Sequence, residues 1–368
     1  MRVLILSANT GGGHNSTARA LAQQLEKLNV ECKVADTLAY ISEKVSDFIS
    51  RGHSYVYRKF PKLFGVGYRF EEKHPELFIY DQCAKGAEAL HQEIMEQSYD
   101  AVLCVHVFSG VMMTEVRKRY ANPTPFYFVA TDYTASPGVT EMQADAYFIP
   151  HRMLLGEFVR GGVRADKMFA TGIPVRSDFY TIEDKTEARR ALGLPEEGQM
   201  VLLSCGSMGC GKLDKSALYL LEHLNKNAYL VVLCGSNRKT YEELAPYASQ
   251  RLFIVSFTDR VPQYMSAADL YITKPGGLTT SEAIVKQVPM IFIDAVPGCE
   301  TRNFDFLVRS GVACGAKNWR QVVSQTNQAL QKPEILEQQR KNMKAFSPQN
   351  AAELICRRVV GQQAKAGE

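Results

Sequence analysis

Short strand-like runs punctuate this chain, each closed by a polar or glycine-bearing turn. In the first half they cover residues 2–7, 32–36, 101–107, 125–130 and 146–149. In the second half they cover 200–205, 229–234, 252–257, 269–273 and 289–294. Apolar runs of this length bounded by Gly, Pro, Asn or Asp read as buried strands. Between them the spacing becomes helical, as at Ala18, Leu21, Leu25 and Leu28. Strands alternating with helices predict an α/β chain built on parallel, doubly wound sheets. From Gln321 onward the pattern predicts two or three polar helices, with no repeat and no low-complexity segment.

The alternation restarts after Thr171-Gly172-Ile173-Pro174-Val175-Arg176. This Gly and Pro turn, followed by the charged, helix-prone segment Glu183–Leu192, reads as an interdomain connection. A chain of 368 residues is too long for one compact core of ordinary size. The expected division is an N-terminal domain over 1–172 and a C-terminal domain over 173–345. Residues 346–368 are then a C-terminal helix packing back on the first domain.

Composition narrows the class. A hydrophobic content of 46% with 22% charged residues belongs to a globular protein, not a disordered one. The nine cysteines are scattered, without a CxxC pair or metal-ligand spacing, which points to free thiols in a reducing cytoplasm. Met1–Ser7 turns polar too early for a secretory signal and reads as a first strand. The longest apolar stretch, Ala101–Met113, is broken by His106, Ser109 and Gly110, so no run reaches the roughly 20 residues of a membrane span. The net charge of +4 does not by itself call for nucleic acid.

Candidate chemistry gathers at the turns. The stretch Lys274-Pro275-Gly276-Gly277-Leu278-Thr279-Thr280-Ser281-Glu282 follows one strand and opens a helix. Free N–H groups and the positive end of the helix dipole make such a turn an anion site, and the two glycines admit a diphosphate to the backbone. Glu282 falls in the first helical turns, where it can accept hydrogen bonds from a ribose or stand as a surface glutamate. At the N-terminal turn, Gly11-Gly12-Gly13 places His14 as a helix cap, a surface residue or a general base. The turn lacks the GxGxxG spacing of a nicotinamide site. Asp132, after the strand at 125–130, can orient a substrate hydroxyl or His14, or cap the next helix. Gly206-Ser207-Met208-Gly209-Cys210-Gly211-Lys212 nearly spells a phosphate loop, but position 213 is Leu where a magnesium-binding hydroxyl is required, which excludes an ATPase. Arg176 is available for a phosphate. Glu300 and Asn303 share one helix face and can grip sugar hydroxyls or cap the helix. Between Arg51 and Phe70, basic residues alternate with aromatics and no acid intervenes. That mixture suits the headgroup boundary of an anionic membrane, or a solvated outer face over inward-packed aromatics.

GGGHNSTARAL at 11–21, TGIPVRSDF at 171–179, DLYITKPGGLTTSEA at 269–283 and PGCETRN at 297–303 together resemble the monogalactosyldiacylglycerol synthase family, which includes the processive diacylglycerol glucosyltransferases. The resemblance spans nearly the whole chain in order, and the pairing of an N-terminal GGGH with KPGG…E is more specific than either motif. It is also similar to the transferase that adds N-acetylglucosamine to form lipid II. The resemblance implies a glycosyltransferase B architecture, with two Rossmann-like domains facing across a cleft. It further implies transfer of a hexose from a UDP-sugar to diacylglycerol, with inversion and without a metal or other cofactor.

Carried over by position, the resemblance puts Gly276, Gly277 and Thr279 at the UDP diphosphate, Lys274 on the donor side and Arg176 on a phosphate. Glu282 falls on the ribose, Phe257 and Thr258 on the uracil, and Glu300 and Asn303 on the hexose. The turns at Gly206 and Gly235 join this donor side. His14, with Asp132, is the base or stabilises charge near the acceptor hydroxyl. Gly12, Gly13, Tyr57, Arg58, Lys59, Phe60, Lys62 and Phe64 take the acceptor and membrane side. The implied location is the cytoplasmic face of the cell membrane, as a peripheral protein.

Two departures stand out. Members often carry Gln where this chain has Cys299, which bears on the donor sugar. After Thr-Asp the family often shows His and Trp, whereas this chain has Tyr133–Val139, which bears on the acceptor. Other readings are a transferase to another lipid acceptor, a sugar-nucleotide epimerase on the same fold, and a UDP-sugar sensor that signals to a protein partner.

Overall fold

The computed structural model describes residues 1–9, 12–42, 65–67, 79–181, 183–206, 213–346 and 349–366, with the backbone alone over 79–84 and 362–366. The chain divides into two compact units. One comprises Met1–Ser177 with Val296–Cys299 and Gln349–Glu368; the other comprises Asp178–Ala295 with Glu300–Pro348.

In the first unit the order is β1 (Arg2–Ser7), α1 (Gly12–Lys27), β2 (Glu31–Asp36), α2 (Ile79–Glu96), β3 (Ala101–Cys104), α3 (Val107–Tyr120), β4 (Phe126–Val129), β5 (Ala146–Ile149), α4 (Leu155–Arg160) and β6 (Met168–Ala170). The six strands form one sheet in the order β2-β1-β3-β4-β5-β6, and every pairing is parallel. Parallel sheets are covered on both faces, which is why Val3–Leu6 and Ala101–Cys104 are apolar without interruption and fully buried. α1 buries Ala18, Leu21 and Leu25, the residues at helical spacing. Growth of the sheet reverses between β1 and β3, so their carboxyl ends flank a topological switch point, the usual ligand position in open α/β sheets.

The second unit repeats the plan with α5 (Lys185–Ala191), β7 (Gln199–Ser204), α6 (Leu213–His223), β8 (Ala228–Leu233), α7 (Arg238–Leu244), β9 (Leu252–Val255), α8 (Val261–Ala267), β10 (Leu270–Thr273), α9 (Gly277–Val285), β11 (Met290–Phe292), α10 (Cys299–Arg309), β12 (Ala313–Gly315), α11 (Trp319–Gln331) and α12 (Pro333–Phe346). Its sheet runs β12-β11-β10-β7-β8-β9, again all parallel. Counted within the unit this is the order 3-2-1-4-5-6 of dinucleotide-binding folds, with the switch point between β7 and β10. The last helix, α13 (Ala351–Ala366), belongs to the first unit. There Ile355, Cys356 and Val359 join the core of Val3, Ile5 and Leu21.

The amino end of the second sheet is fixed by one buried charge. Arg189 is 4% exposed; it donates to the carbonyls of Ala267, Glu196 and Gly198 and pairs with Asp269 at 2.7 Å. The same carboxylate accepts from the Met200 amide at 2.8 Å. One carboxylate thus ties the starts of β7 and β10 together, opposite the edge where their turns open.

Two strands escape the sequence pattern. β6 and β12 are three residues each and lie at sheet edges, too short to show a period. The run read as 101–107 is a four-residue strand, because α3 begins at Val107 with His106 as its N-cap.

Candidate functional site

In the second unit the site is built at the switch point. β10 ends at Thr273, the chain turns through Lys274-Pro275-Gly276, and α9 starts at Gly277. Gly276 is the N-cap and brings no side-chain cap of its own to the N–H groups of the first turn. A Cβ on Gly276 would stand 3.9 Å from Glu300 Oε1, which places that carboxylate against the glycine. One turn along α10, Asn303 is fully buried, and its Nδ2 donates to the Pro275 carbonyl at 3.0 Å. The i, i+3 face of α10 therefore closes on the glycine corner. Lys274 is buried, and Thr279 is half-buried in the first turn of α9.

Glu282 is not a surface glutamate. It is 9% exposed, and its charge acts on Tyr271 of β10. Burial, with the Glu282 carboxylate adding to it, pushes the Tyr271 hydroxyl up to about 12, against the hydrogen bond to Ser204 that lowers it. Ser204 Oγ and Tyr271 OH lie 2.5 Å apart, joining the last residue of β7 to β10 across the switch point.

Other residues expected on the donor side follow the carboxyl ends of neighbouring strands. Gly206 after β7 and Gly235 after β8 adopt positive φ, 76° and 58°, which an L side chain resists. Phe257 follows β9 and is 70% exposed, while Thr258 Oγ1 accepts from the Arg260 amide ahead of α8. Leu213, the residue that breaks the phosphate-loop pattern, is the first residue of α6 and packs into the core. Residues 207–212 lie outside the described residues. Arg176 belongs to the first unit, where it is half-buried just ahead of the 3-10 turn Ser177–Tyr180.

In the first unit, His14 occupies the other switch point. Gly12 and Gly13 open α1, and a chain of side chains pins the turn to the sheet. Ser7 Oγ donates to Asn15 Oδ1 at 2.7 Å, Asn15 Nδ2 to Asn9 Oδ1 at 2.7 Å, and Asn9 Nδ2 to Asp36 Oδ2 at 2.9 Å. The His14 ring meets the Val105 carbonyl and the Thr131 hydroxyl through Nδ1, each at 3.1 Å. A carbonyl only accepts, so Nδ1 carries the proton and Nε2 of the neutral ring holds the lone pair. This is the tautomer a general base requires. Thr131 immediately precedes Asp132, which is half-buried.

Three further residues join this site without having been singled out. His106 stands T-shaped against His14 with centroids 4.5 Å apart, and its Nδ1 accepts from the Phe108 amide. That bond leaves the proton of its neutral ring on Nε2, the opposite tautomer to His14. Thr131 is the second. The third is Glu157, whose Oε1 accepts from Thr134 Oγ1 at 2.5 Å and the Ala135 amide at 2.8 Å and so holds the loop that follows β4. The one signal for His106 was a polar break directly after an apolar run. Tyr57, Arg58, Lys59, Phe60, Lys62 and Phe64, with the other basic and aromatic residues between Arg51 and Phe70, lie outside the described residues.

Comparison with known proteins covers both units. The family model described as monogalactosyldiacylglycerol (MGDG) synthase matches residues 14–175, and the glycosyltransferase family 28 C-terminal domain matches residues 200–355. The processive diacylglycerol beta-glucosyltransferase of Bacillus licheniformis is 26% identical over 372 residues, 98% of this chain and 94% of that one. Among solved structures, MurG of Acinetobacter baumannii superposes with a TM-score of 0.64 at 17% identity, covering 98% of this chain and 99% of that one. Anabaena Alr3699/HepE in complex with UDP-glucose superposes at 0.60 with 13% identity, covering 99% and 100%. At such identities the superpositions establish the fold.

Proposed function

We propose that the chain, matched over its two units by the monogalactosyldiacylglycerol synthase and glycosyltransferase family 28 models and similar along its length to processive diacylglycerol glucosyltransferases, moves a hexose from a UDP-sugar to the hydroxyl of diacylglycerol. The fold is the glycosyltransferase B architecture. The observation that carries the reading is the corner at 274–277. It opens a helix N-terminus at the switch point of a dinucleotide-type sheet, with a buried glutamate in that helix and the Glu300 and Asn303 face of α10 closed on it.

In this reading the backbone of Gly276, Gly277 and Thr279 cradles the UDP diphosphate. Glu282 holds the ribose, Phe257 and Thr258 frame the uracil, and Gly206 and Gly235 keep the edge open to the nucleotide. Glu300 reaches the hexose, and Asn303 sets the corner's shape through Pro275. His14 Nε2 takes the proton of the acceptor hydroxyl as its oxygen attacks the anomeric carbon from the face opposite UDP. The bond to the diphosphate breaks with its electron pair, giving inversion. The charge that develops on UDP is met by the positive end of α9 and by Lys274 and Arg176. Asp132 serves as the second polar group of the acceptor site.

We place the protein at the cytoplasmic face of the cell membrane as a peripheral protein, meeting diacylglycerol in an anionic surface. Among the described residues no helix is long and apolar enough to cross a membrane. The test is incubation with a panel of UDP-sugars and diacylglycerol in anionic vesicles, with glycolipid products read by mass. A hexosyl-diacylglycerol is expected. Turnover of the UDP-sugar to an epimer, or binding of UDP without any lipid product, would refute the proposal in favour of an epimerase or a sensor.

A further inference from the structure

All six strands of the first sheet are parallel, so their carboxyl ends open on one edge. That edge carries His14 after β1, His106 after β3 and Thr131 after β4. It also carries the segment after β5, where His151 caps a 3-10 turn, Arg152–Leu154, that runs directly into α4. Taking ~120° per residue through the 3-10 turn and ~100° through the helix, positions 152, 159, 156, 160 and 153 fall within one arc of about 120°. These five are the exposed positions of the segment, while Leu154 and Phe158 point the other way and are buried.

The arc therefore holds Arg152, Val159, Gly156, Arg160 and Met153. Met153 is 64% exposed and Val159 47%. The arc contains no acid. Glu157 lies just beyond the Met153 edge, and its carboxylate is turned to Thr134 and Ala135. Among the described residues neither Arg152 nor Arg160 makes an ion pair. A short helical segment that presents two arginines and two exposed apolar side chains on one arc, with a glycine among them, has the make-up of an interfacial element. Its apolar side chains enter the acyl boundary and its cations stay at the headgroups.

We propose that α4 with the turn before it is a membrane-docking face that seats the acceptor edge of the first unit on an anionic lipid surface. The charge complementarity of the acid-free arc selects that occupant, and the shared sheet edge puts it on the side where His14 would meet a lipid hydroxyl. The inference rests on the acceptor being a membrane lipid, and its test is kept separate from turnover.

Full-length protein is sedimented with phosphatidylglycerol vesicles and with phosphatidylcholine vesicles. The variants are Arg152→Gln with Arg160→Gln, and Met153→Ser with Val159→Ser. All four positions are solvent-exposed, so unchanged thermal unfolding is expected for both. The wild type should bind the anionic vesicles selectively, and each pair of substitutions should weaken that binding roughly tenfold or more. Transfer to short-chain diacylglycerol dispersed in detergent should stay at the wild-type rate. Undiminished vesicle binding by either variant, or no anionic selectivity in the wild type, overturns the proposal. Absence of transfer to diacylglycerol by the wild type sinks the functional reading instead, and the sedimentation result still judges the docking face.

Discussion

Replacing Asn303 with Ala tests whether the glycine corner is a built site or an ordinary turn. The Asn303 side chain has no exposure, and its amide is bonded to the Pro275 carbonyl at 3.0 Å. Removing the donor leaves that carbonyl desolvated, which costs about 1–3 kcal/mol, and the truncated side chain adds a small cavity. Against a typical stability of about 5–15 kcal/mol the protein still folds. In a domain of this size each kcal/mol lowers Tm by about 2–4 °C. The corner must then be re-ordered by its ligand. If about 1.4 kcal/mol of the loss falls on the bound state, UDP affinity drops tenfold. Asn303→Leu separates the two components, since it fills the space yet still abandons the carbonyl. Calorimetric titration with UDP should show the tenfold loss in both variants, with the larger fall in Tm for Ala. Wild-type affinity in Asn303→Ala despite a lower Tm would refute the reasoning, because the amide would then be a packing residue with no bearing on the diphosphate.

Three further predictions concern other parts of the fold. Burial alone would raise the Glu93 carboxyl, but hydrogen bonds from Lys33 at 2.8 Å and Tyr40 at 2.9 Å outweigh it and hold the group below its ordinary value of 4.5. Its folded form thus binds fewer protons than its unfolded form, so the contribution is present above that value and lost as pH falls through the lower folded one. Glu93→Gln should cost roughly 1–2 kcal/mol at pH 7 and almost nothing at pH 2 in urea unfolding; an equal cost at both would contradict this. Arg189→Met leaves Asp269 with Lys185 as its remaining cation and takes the donor from the carbonyls of Ala267, Glu196 and Gly198, so it should cost about 3 kcal/mol or more, only partly recovered by adding Asp269→Asn. A loss under 1 kcal/mol would remove the buried pair from the account. His106→Asn keeps an N-cap acceptor for α3 and removes the ring that stands against His14, so kcat should fall about tenfold with UDP affinity unchanged. An unaltered kcat would show that His106 only caps its helix.

The strands longest and most buried were plain in the sequence, because parallel sheets demand unbroken apolar runs. β6 and β12 were not, since a three-residue edge strand carries no period. The glycine corner was legible because its chemistry is local: a strand end, two glycines and a helix start are adjacent in the chain. That Glu300 and Asn303 share a face followed from helical spacing. What that face closes on did not, because Pro275 lies 28 residues from Asn303. The burial of Glu282 was hidden for a related reason, since its charge faces Tyr271, which comes from a different element of the fold. His106 showed only as a polar break after an apolar run, because its pairing with His14 joins the ends of β1 and β3 across the sheet. Leu213 shows the reverse case. A single residue type decided against a phosphate loop, and its place in the core gives the physical reason for a side chain of that kind.

The most direct measurement pairs two readouts on His14→Ala: UDP affinity by calorimetry and hexosyl-diacylglycerol formation by mass. The account predicts wild-type UDP binding, since the nucleotide rests on the second unit's corner, together with a fall in transfer of at least a hundredfold. Full transfer activity in the variant would show that the histidine is not the base, and lost UDP binding would show that the nucleotide does not rest on that corner alone.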